Sequence, residues 1–235
     1  MVTYVELPAS AELTARVTCV WSASHDGSSR TKRVVPDGCI DLIWSASEQS
    51  VHVAGPDTVP FHALLDDGER FAGVRFGPGA APAVLGVPAG ALRDCRVPLA
   101  ELWGVDAVRL ADAVDAAADR PRALEALVAG RVRAAGALDP VTDQVVRRLS
   151  AGAGVRGLAD DLGLSERHLH RRSVQAFGYG PKVLQRILRF QHALQLIGDG
   201  APLALAAHRT GYADQAHLTR EVQSLAGVPP STLAA

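Results

Sequence analysis

The chain has 235 residues, of which 48% are hydrophobic, and a formal net charge of −1. This is enough apolar material for one large core or two modest ones, and we favour two. No apolar run approaches the eighteen or so residues of a membrane span, and the N-terminus lacks a signal-peptide pattern. These features argue against a membrane or secreted protein, and we expect a cytoplasmic one.

The charges are unevenly distributed along the chain. Residues 139–235 contain 11 Lys+Arg against 8 Asp+Glu, so the preceding part holds the other 13 of 24 basic and 17 of 25 acidic residues. Only the C-terminal part is therefore biased, mildly, toward an anionic partner. The three cysteines, Cys19, Cys39 and Cys95, are widely spaced and form no CxxC pair, which argues against a disulfide framework or a structural zinc site.

The region from residue 16 to residue 76 has the composition of short strands. Runs rich in Val, Ile, Trp and Phe predict strands at 16–21, 32–35, 40–44, 51–54 and 71–76. Turn-forming residues at 36–38, 55–57 and 66–68 separate these strands, as in an antiparallel meander or a small barrel. No Gly-rich phosphate loop or βαβ rhythm is present, which excludes a Rossmann-type nucleotide domain.

A helical pattern follows, with predicted helices at 79–87, 98–102, 107–118 and 122–135. The helix at 107–118 is polar on one face, and it could connect two domains or pair with a second copy of itself. A boundary is expected near residues 136–140. We therefore divide the chain into a β-rich sensing or dimerisation domain (1–105), a helical connector (106–138) and a helical domain (139–235).

The helical domain contains one pattern twice, at 158–178 and 203–227: a helix, a glycine turn and a second helix with a capping residue. Gly163 and Gly211 are the expected turns, and Ser165 and Asp214 are the expected N-caps. An amphipathic helix at 181–198, with Pro181 in its first turn and Gly198 as its C-cap, joins the two units and should pack against both.

Polar side chains of the two capped helices suit contacts with base edges and phosphates. The candidates are Ser165, Arg167, His170, Arg171, Arg172, Gln215, Ala216, Thr219 and Arg220. For one such helix alone, the simpler interpretation would be a polar face exposed to solvent, since helix-turn-helix units also occur in proteins that do not bind DNA. Two in tandem favour a DNA reader, whose recognition helices would lie about one DNA turn apart.

The tandem resembles the C-terminal DNA-binding domain of the AraC/XylS family of bacterial transcription regulators. The similarity lies in LGLSERHLHRR of the first unit, and in AAHRTGYADQAHLTRE with the closing GVPP of the second. It implies that the base-reading residues lie among the candidates above, with Ser165 and Thr219 as phosphate contacts. Ser173 and Val222 stand where the family has aromatic core residues, and we expect Phe190 or Tyr179 to fill the space.

Most of residues 5–105, including VVPDGCIDLIW and VAGPDTVPF, resembles the small cupin-like N-terminal domains of such regulators. That resemblance implies binding of a small-molecule effector, dimerisation, or both. Aromatic and polar residues that could line an effector pocket are Trp21, Trp44, His52, His62, Arg75 and Phe76. Both Trp21 and Trp44 can equally be core residues.

An enzymatic function is not expected. Cupin enzymes carry a closely spaced histidine pair with a carboxylate, whereas His52 and His62 are ten residues apart here. Cys39, His52 and His62 are possible zinc ligands by type, but their spacing is not diagnostic. We predict no cofactor and no metal site.

The predicted fold is α+β, with a β-rich cupin-like N-terminal domain followed by an all-α tandem helix-turn-helix domain. The predicted function is sequence-specific, effector-responsive regulation of transcription. Its expected partners are double-stranded DNA, a small-molecule effector, a second copy in a possible homodimer and, for an activator, RNA polymerase. The alternative is a protein that binds or sequesters a small molecule and uses the helical region only as a scaffold.

Overall fold

A computed structural model describes residues 2–233. The first third is made of eight strands, connected mainly by short turns. They are β1 (Val2–Pro8), β2 (Val17–His25), β3 (Arg30–Val34), β4 (Ile40–Ser45), β5 (Ser50–Ala54), β6 (Phe61–Leu65), β7 (Arg70–Phe76) and β8 (Arg96–Pro98). The five predicted strands are present with small shifts at their ends, and β1, β6 and β8 were not predicted.

The strands form a six-stranded sheet in the order β1-β2-β7-β4-β5-β8 and a two-stranded sheet of β3 and β6. All pairs are antiparallel. The order is not that of a simple meander, because β7 inserts between β2 and β4. The β-rich, antiparallel character of the prediction is nevertheless confirmed.

The two faces of the large sheet differ in chemistry, as the side-chain alternation of a strand requires. One face carries Val20, Leu42 and Val74, all fully buried, and packs against helices. The opposite face carries Trp21 and Arg75, which are partners of Gly73 and Asp41 in the strand register. Polar groups are therefore concentrated on the face away from the helices.

Four α-helices complete the core of the sheet: α1 (Pro82–Leu85), which lies between β7 and β8, and then α2 (Ala100–Trp103), α3 (Val105–Asp115) and α4 (Arg120–Ala134). Leu110, Val114, Leu124 and Val128 share one buried cluster with the strands. The stretch 106–138, expected to be a connector, thus contributes two helices to the first core.

The remaining helices build a second core. They are α5 (Pro140–Ser150), α6 (Leu158–Asp161), α7 (Glu166–Phe177), α8 (Pro181–Gly198), α9 (Leu203–Arg209), α10 (Gln215–Ala226) and α11 (Pro230–Leu233). No helix among the described residues is long and apolar enough to cross a membrane. The expected C-cap of α8 is corrected: Gly198 is the last helical residue, Asp199 is the cap and Gly200 has the positive φ of 87°.

Ser173 and Val222, which stand where the family has aromatic core residues, differ in their surroundings in the second core. Val222 is fully buried, and so is Phe190 of α8. Ser173 is also buried, but its hydroxyl has no hydrogen-bond partner in the described structure. An unpaired hydroxyl in a core costs free energy, so Ser173 is a weak point of the first unit.

Arg16 fixes the chain where the first core ends. Its buried guanidinium donates to the carbonyl oxygens of Ala80 at 2.9 Å, Ala135 at 3.2 Å, Gly136 at 3.0 Å and Ala137 at 3.0 Å. Burial lowers the pKa of Arg16 from its ordinary value. One arginine thereby attaches the exit of α4 to the beginning of β2 and the loop before α1.

Candidate nucleic-acid interface

The first recognition helix is α7, which begins at the predicted cap. The Ser165 hydroxyl oxygen accepts the backbone N–H of His168 at 3.2 Å. Arg167, His170 and Arg171 are exposed and, at spacings of three and four residues, share one face. Their exposed donors can therefore reach base edges or phosphates of a duplex.

Arg172 does not belong to that exposed face. Its guanidinium donates to Asp139 Oδ1 at 2.9 Å, and Asp139 is the N-cap of α5. Burial alone would raise the pKa of Asp139, but hydrogen bonds from Thr142 and Arg172 lower it overall. Arg172 thus holds α7 to α5, and we leave it out of the proposed DNA contacts.

The second recognition helix is α10. The Asp214 carboxylate accepts the backbone N–H of His217 at 2.6 Å, so this cap also lies where predicted. Gln215, Ala216 and Arg220 are exposed. Thr219 is half-buried and donates its hydroxyl to the Gln215 carbonyl at 2.9 Å, which leaves its oxygen lone pairs as the groups that face outward.

Helix α8 fixes the two recognition helices relative to each other. Its buried residues Leu184, Ile187 and Phe190 belong to one core with residues of both units. On its surface, Arg186 donates to Glu221 Oε2 at 2.7 Å and to Ser224 Oγ at 2.6 Å, both in α10. The predicted role of this helix as a packed link between the units is confirmed.

A second candidate site lies on the polar face of the six-stranded sheet, and we call it the polar cluster. Its members are Glu6, Trp21, Asp37, Asp41 and Arg75. Arg75 lies 3.2 Å from Asp41, 3.2 Å from Glu6 and 3.8 Å from Asp37. The Trp21 indole donates to Asp41 Oδ1 at 2.9 Å. An arginine surrounded by three carboxylates and a tryptophan is suited to polar recognition.

The electrostatics of the polar cluster are dominated by burial. Burial, supported by the neighbouring Asp37, raises the pKa of Asp41 to about 6, although Arg75 and the hydrogen bond from Trp21 act against it. Burial also raises the pKa of the Cys19 thiol to about 11, and that of Cys39 well above its ordinary value. Both thiols are therefore protonated near neutral pH and are poor nucleophiles or ligands.

The six effector-site candidates separate into three groups. Trp21, Arg75 and His52 lie on the polar face, His52 next to Glu48 at 3.2 Å. His62 is exposed on β6. Trp44 and Phe76 are fully buried on the other face, so we assign them to the core instead of a pocket.

Three carboxylates of the polar cluster were not predicted as site residues from the sequence: Glu6, Asp37 and Asp41. Asp41 had a local signal, because in IDLIW the side chain between Ile40 and Leu42 must point to the face opposite both. Glu6 lies in a strand that was not predicted. The described residues hold no group of three His, Cys, Asp or Glu side chains suited to a metal ion, and Cys39, His52 and His62 do not form one.

A cleft of about 540 Å³ separates the N-terminal region from α7. Its walls include Arg16, Pro82 and Ala83 on one side, and His168 and Arg171 on the other. One end of the recognition face of α7 therefore opens toward the N-terminal region.

Two parts of the chain match known protein families. Residues 5–98 match the family described as "Domain of unknown function (DUF6597)", and residues 158–235 match the family described as "Helix-turn-helix domain". No curated protein matches the chain.

Solved structures with a similar arrangement include the C-terminal domain of AraT, a response regulator from Geobacillus stearothermophilus. It is 20% identical, with 41% of this chain and 84% of that chain covered and a TM-score of 0.38. ToxT from Vibrio cholerae O395 is 10% identical, with 100% and 96% covered and a TM-score of 0.46. ToxT from strain SCE256 with a bound unsaturated fatty acid is 10% identical, with 100% and 94% covered and a TM-score of 0.43.

Proposed function

We propose that this chain, whose residues 158–235 match a helix-turn-helix family and resemble the AraC/XylS type, regulates transcription by placing α7 and α10 in neighbouring major-groove segments of one DNA site. The observation that carries this proposal is the pair of capped, exposed recognition helices held by a shared α8. The proposed DNA contacts are Ser165, Arg167, His170, Arg171, Gln215, Ala216, Thr219 and Arg220. Arginines on such a face pair with guanine or phosphate, and Gln215 suits adenine.

The N-terminal region is proposed to be the sensing part. The polar cluster presents Arg75 and Glu6 as partly exposed charged groups beside the buried Trp21, and the Tyr4 ring lies beside Trp21 with a centroid distance of 5.7 Å. A small molecule bound here would exchange contacts with Arg75 and its carboxylates. The effector would act by changing the fraction of molecules whose two recognition helices are aligned for DNA.

The remaining parts of the proposal concern context. We expect a cytoplasmic bacterial regulator that acts on double-stranded DNA, contacts RNA polymerase if it is an activator, and forms a homodimer if the N-terminal domains pair. No enzymatic step is proposed. The proposed division of the chain after residue 138 is supported by the presence of two buried clusters.

The proposal is tested by selecting a DNA site from random sequence with the full chain, and then measuring affinity across a range of salt. Arg171→Ala should lose about 5- to 150-fold in affinity for the selected site, which corresponds to roughly 1–3 kcal/mol, and should relax one base preference. Arg147→Ala is the matched control, since Arg147 is an exposed arginine of α5 paired within its own helix to Asp143.

An equal loss on random DNA would make Arg171 a phosphate contact and not a base reader. If the wild-type chain selects no sequence at all, the regulator proposal fails. The alternative then stands, in which the chain binds or sequesters a small molecule.

A further inference from the structure

The turn between β3 and β4, at residues 36–39, contributes Asp37 to the polar cluster. The Asp37 carboxylate lies 3.8 Å from Arg75 Nε and accepts the backbone N–H of Cys39 at 2.8 Å. Arg75 also contacts Asp41 and Glu6, so it links the turn to both of these carboxylates. A change in how Arg75 shares its hydrogen bonds therefore acts directly on Asp37 and on the shape of the turn.

The other side of the same turn rests on α8 and on the loop that joins α7 to it. The Pro36 carbonyl accepts a hydrogen bond from Gln191 Nε2 of α8 at 2.6 Å. Gly38, at a φ of +83°, packs so closely that a methyl group there would lie 3.7 Å from Tyr179 Oη and 3.8 Å from Leu184 Cδ1. Tyr179 is buried, and its hydroxyl has no hydrogen-bond partner within the described chain.

Other contacts between the two regions lie outside the turn at 36–39. A methyl group at Gly90 would lie 3.2 Å from Val174 Cγ1, and Gly178 packs against Pro56 in the same way at 2.8 Å. These contacts hold the end of α7 in place. Among them, the turn at 36–39 is distinguished by having Asp37 in the polar cluster and its neighbours Pro36 and Gly38 on α8 and the loop before it.

We infer that the turn at residues 36–39 couples the polar cluster to α8 and, through the core that α8 shares with α7, to the first helix-turn-helix unit, so that a change at Arg75 alters the pose of α7 and α8. The inference rests on the proposed function, because it gives the effector site a route to the DNA-binding face. The route needs no intermediate element: the Asp37 side chain and the Pro36 carbonyl belong to consecutive residues. Such coupling is reciprocal, so DNA binding would in turn alter the polar cluster.

A double-mutant cycle in the full chain tests the inference. Asp37→Asn keeps the size of the side chain and removes its charge, and Gln191→Ala removes the contact on the other side of the turn. We measure affinity for the selected DNA site and, without DNA, hydrogen exchange of the α7 and α8 amides. Asp26→Asn is the matched control. Asp26 pairs with Arg70, which begins the strand β7 that also contains Arg75, and this pair is far from the turn at 36–39.

The expected result is a two- to tenfold change in DNA affinity for Asp37→Asn, with faster exchange at the start of α8, and no change for Asp26→Asn. In the Gln191→Ala background the effect of Asp37→Asn should be smaller, because the turn has then lost its hydrogen bond to α8. If Asp37→Asn does not fold, Arg75→Lys replaces it, because this variant weakens the contact with Asp37 from the arginine side and keeps the positive charge.

Fully additive effects, or unchanged exchange in α7 and α8, would overturn the coupling while leaving DNA binding intact. The failure of the proposed function looks different, because the wild-type chain itself would then show no sequence preference. The exchange measurement needs neither DNA nor the effector, so it decides the coupling in either case.

Discussion

The indole ring of Trp21 lies directly over Gly73 of the neighbouring strand. A methyl group at Gly73 would come within 2.1 Å of Trp21 Cε2, well inside van der Waals contact. Gly73→Ala should therefore displace the indole, break its hydrogen bond to Asp41 and lower the free energy of unfolding by about 1–3 kcal/mol. Urea unfolding measures the loss. Gly154→Ala is the control, because a methyl group there meets no atom within 4 Å and Gly154 has no positive φ.

Asp41 gives the polar cluster a titration near neutral pH. Because burial raises its pKa to about 6 from an ordinary value of 3.8, the folded state binds this proton more tightly than the unfolded state. Its contribution to stability is full below the ordinary value, declines as the pH rises toward 6 and is constant above it. The Trp21 Nε1–H resonance should shift with a midpoint near pH 6.

The control for this titration separates Asp41 from the histidines. The shift should disappear in Asp41→Asn and persist in His52→Gln, whose imidazole shares the polar face. A shift that survives Asp41→Asn would assign the proton elsewhere.

Arg16 is expected to be the most costly single arginine to remove from the N-terminal region. Arg16→Met keeps much of the apolar stem but leaves four carbonyl oxygens without their donor. We expect a loss of about 3 kcal/mol in the free energy of unfolding, measured in urea. Arg109→Met, on the exposed face of α3, should change it by less than about 0.5 kcal/mol. Similar values for both variants would contradict the role assigned to Arg16.

Ser173 offers a stabilising change. Because its buried hydroxyl has no partner, Ser173→Ala should raise the free energy of unfolding by about 1 kcal/mol without altering DNA affinity. Thermal unfolding of the two proteins at one concentration measures the difference. A lower melting temperature for Ser173→Ala would mean that the hydroxyl is hydrogen-bonded in solution.

The helix-turn-helix units were predictable because their signals are local. Ser165 and Asp214 each cap a helix through a side chain that reaches only three residues ahead. The glycine turns and the apolar spacing lie within the same short segments. Sequence alone therefore placed the first residues of α7 and α10 and both ends of α8 where the structure has them.

The polar cluster was only half predictable because it depends on long-range register. Trp21, Asp41 and Arg75 meet only when β7 inserts between β2 and β4, and no turn residue encodes that order. Edge strand β1 has a mostly exposed sequence with no clear alternation, so Glu6 gave no signal. The contacts of Gly38 and Gly90 with the helical region likewise depend on tertiary docking.

The continuity of α8 from Pro181 to Gly198 has a consequence for how the protein can evolve. One residue added to this helix would advance α10 by about 1.5 Å and rotate it by about 100° relative to α7. The length of α8 therefore sets both the distance and the relative rotation between the recognition helices α7 and α10. If a promoter gained a base pair between the segments bound by α7 and α10, the protein could match it only by a redesign of the whole α8 interface. The spacing between the two bound segments should therefore change more slowly in evolution than the base sequence within them.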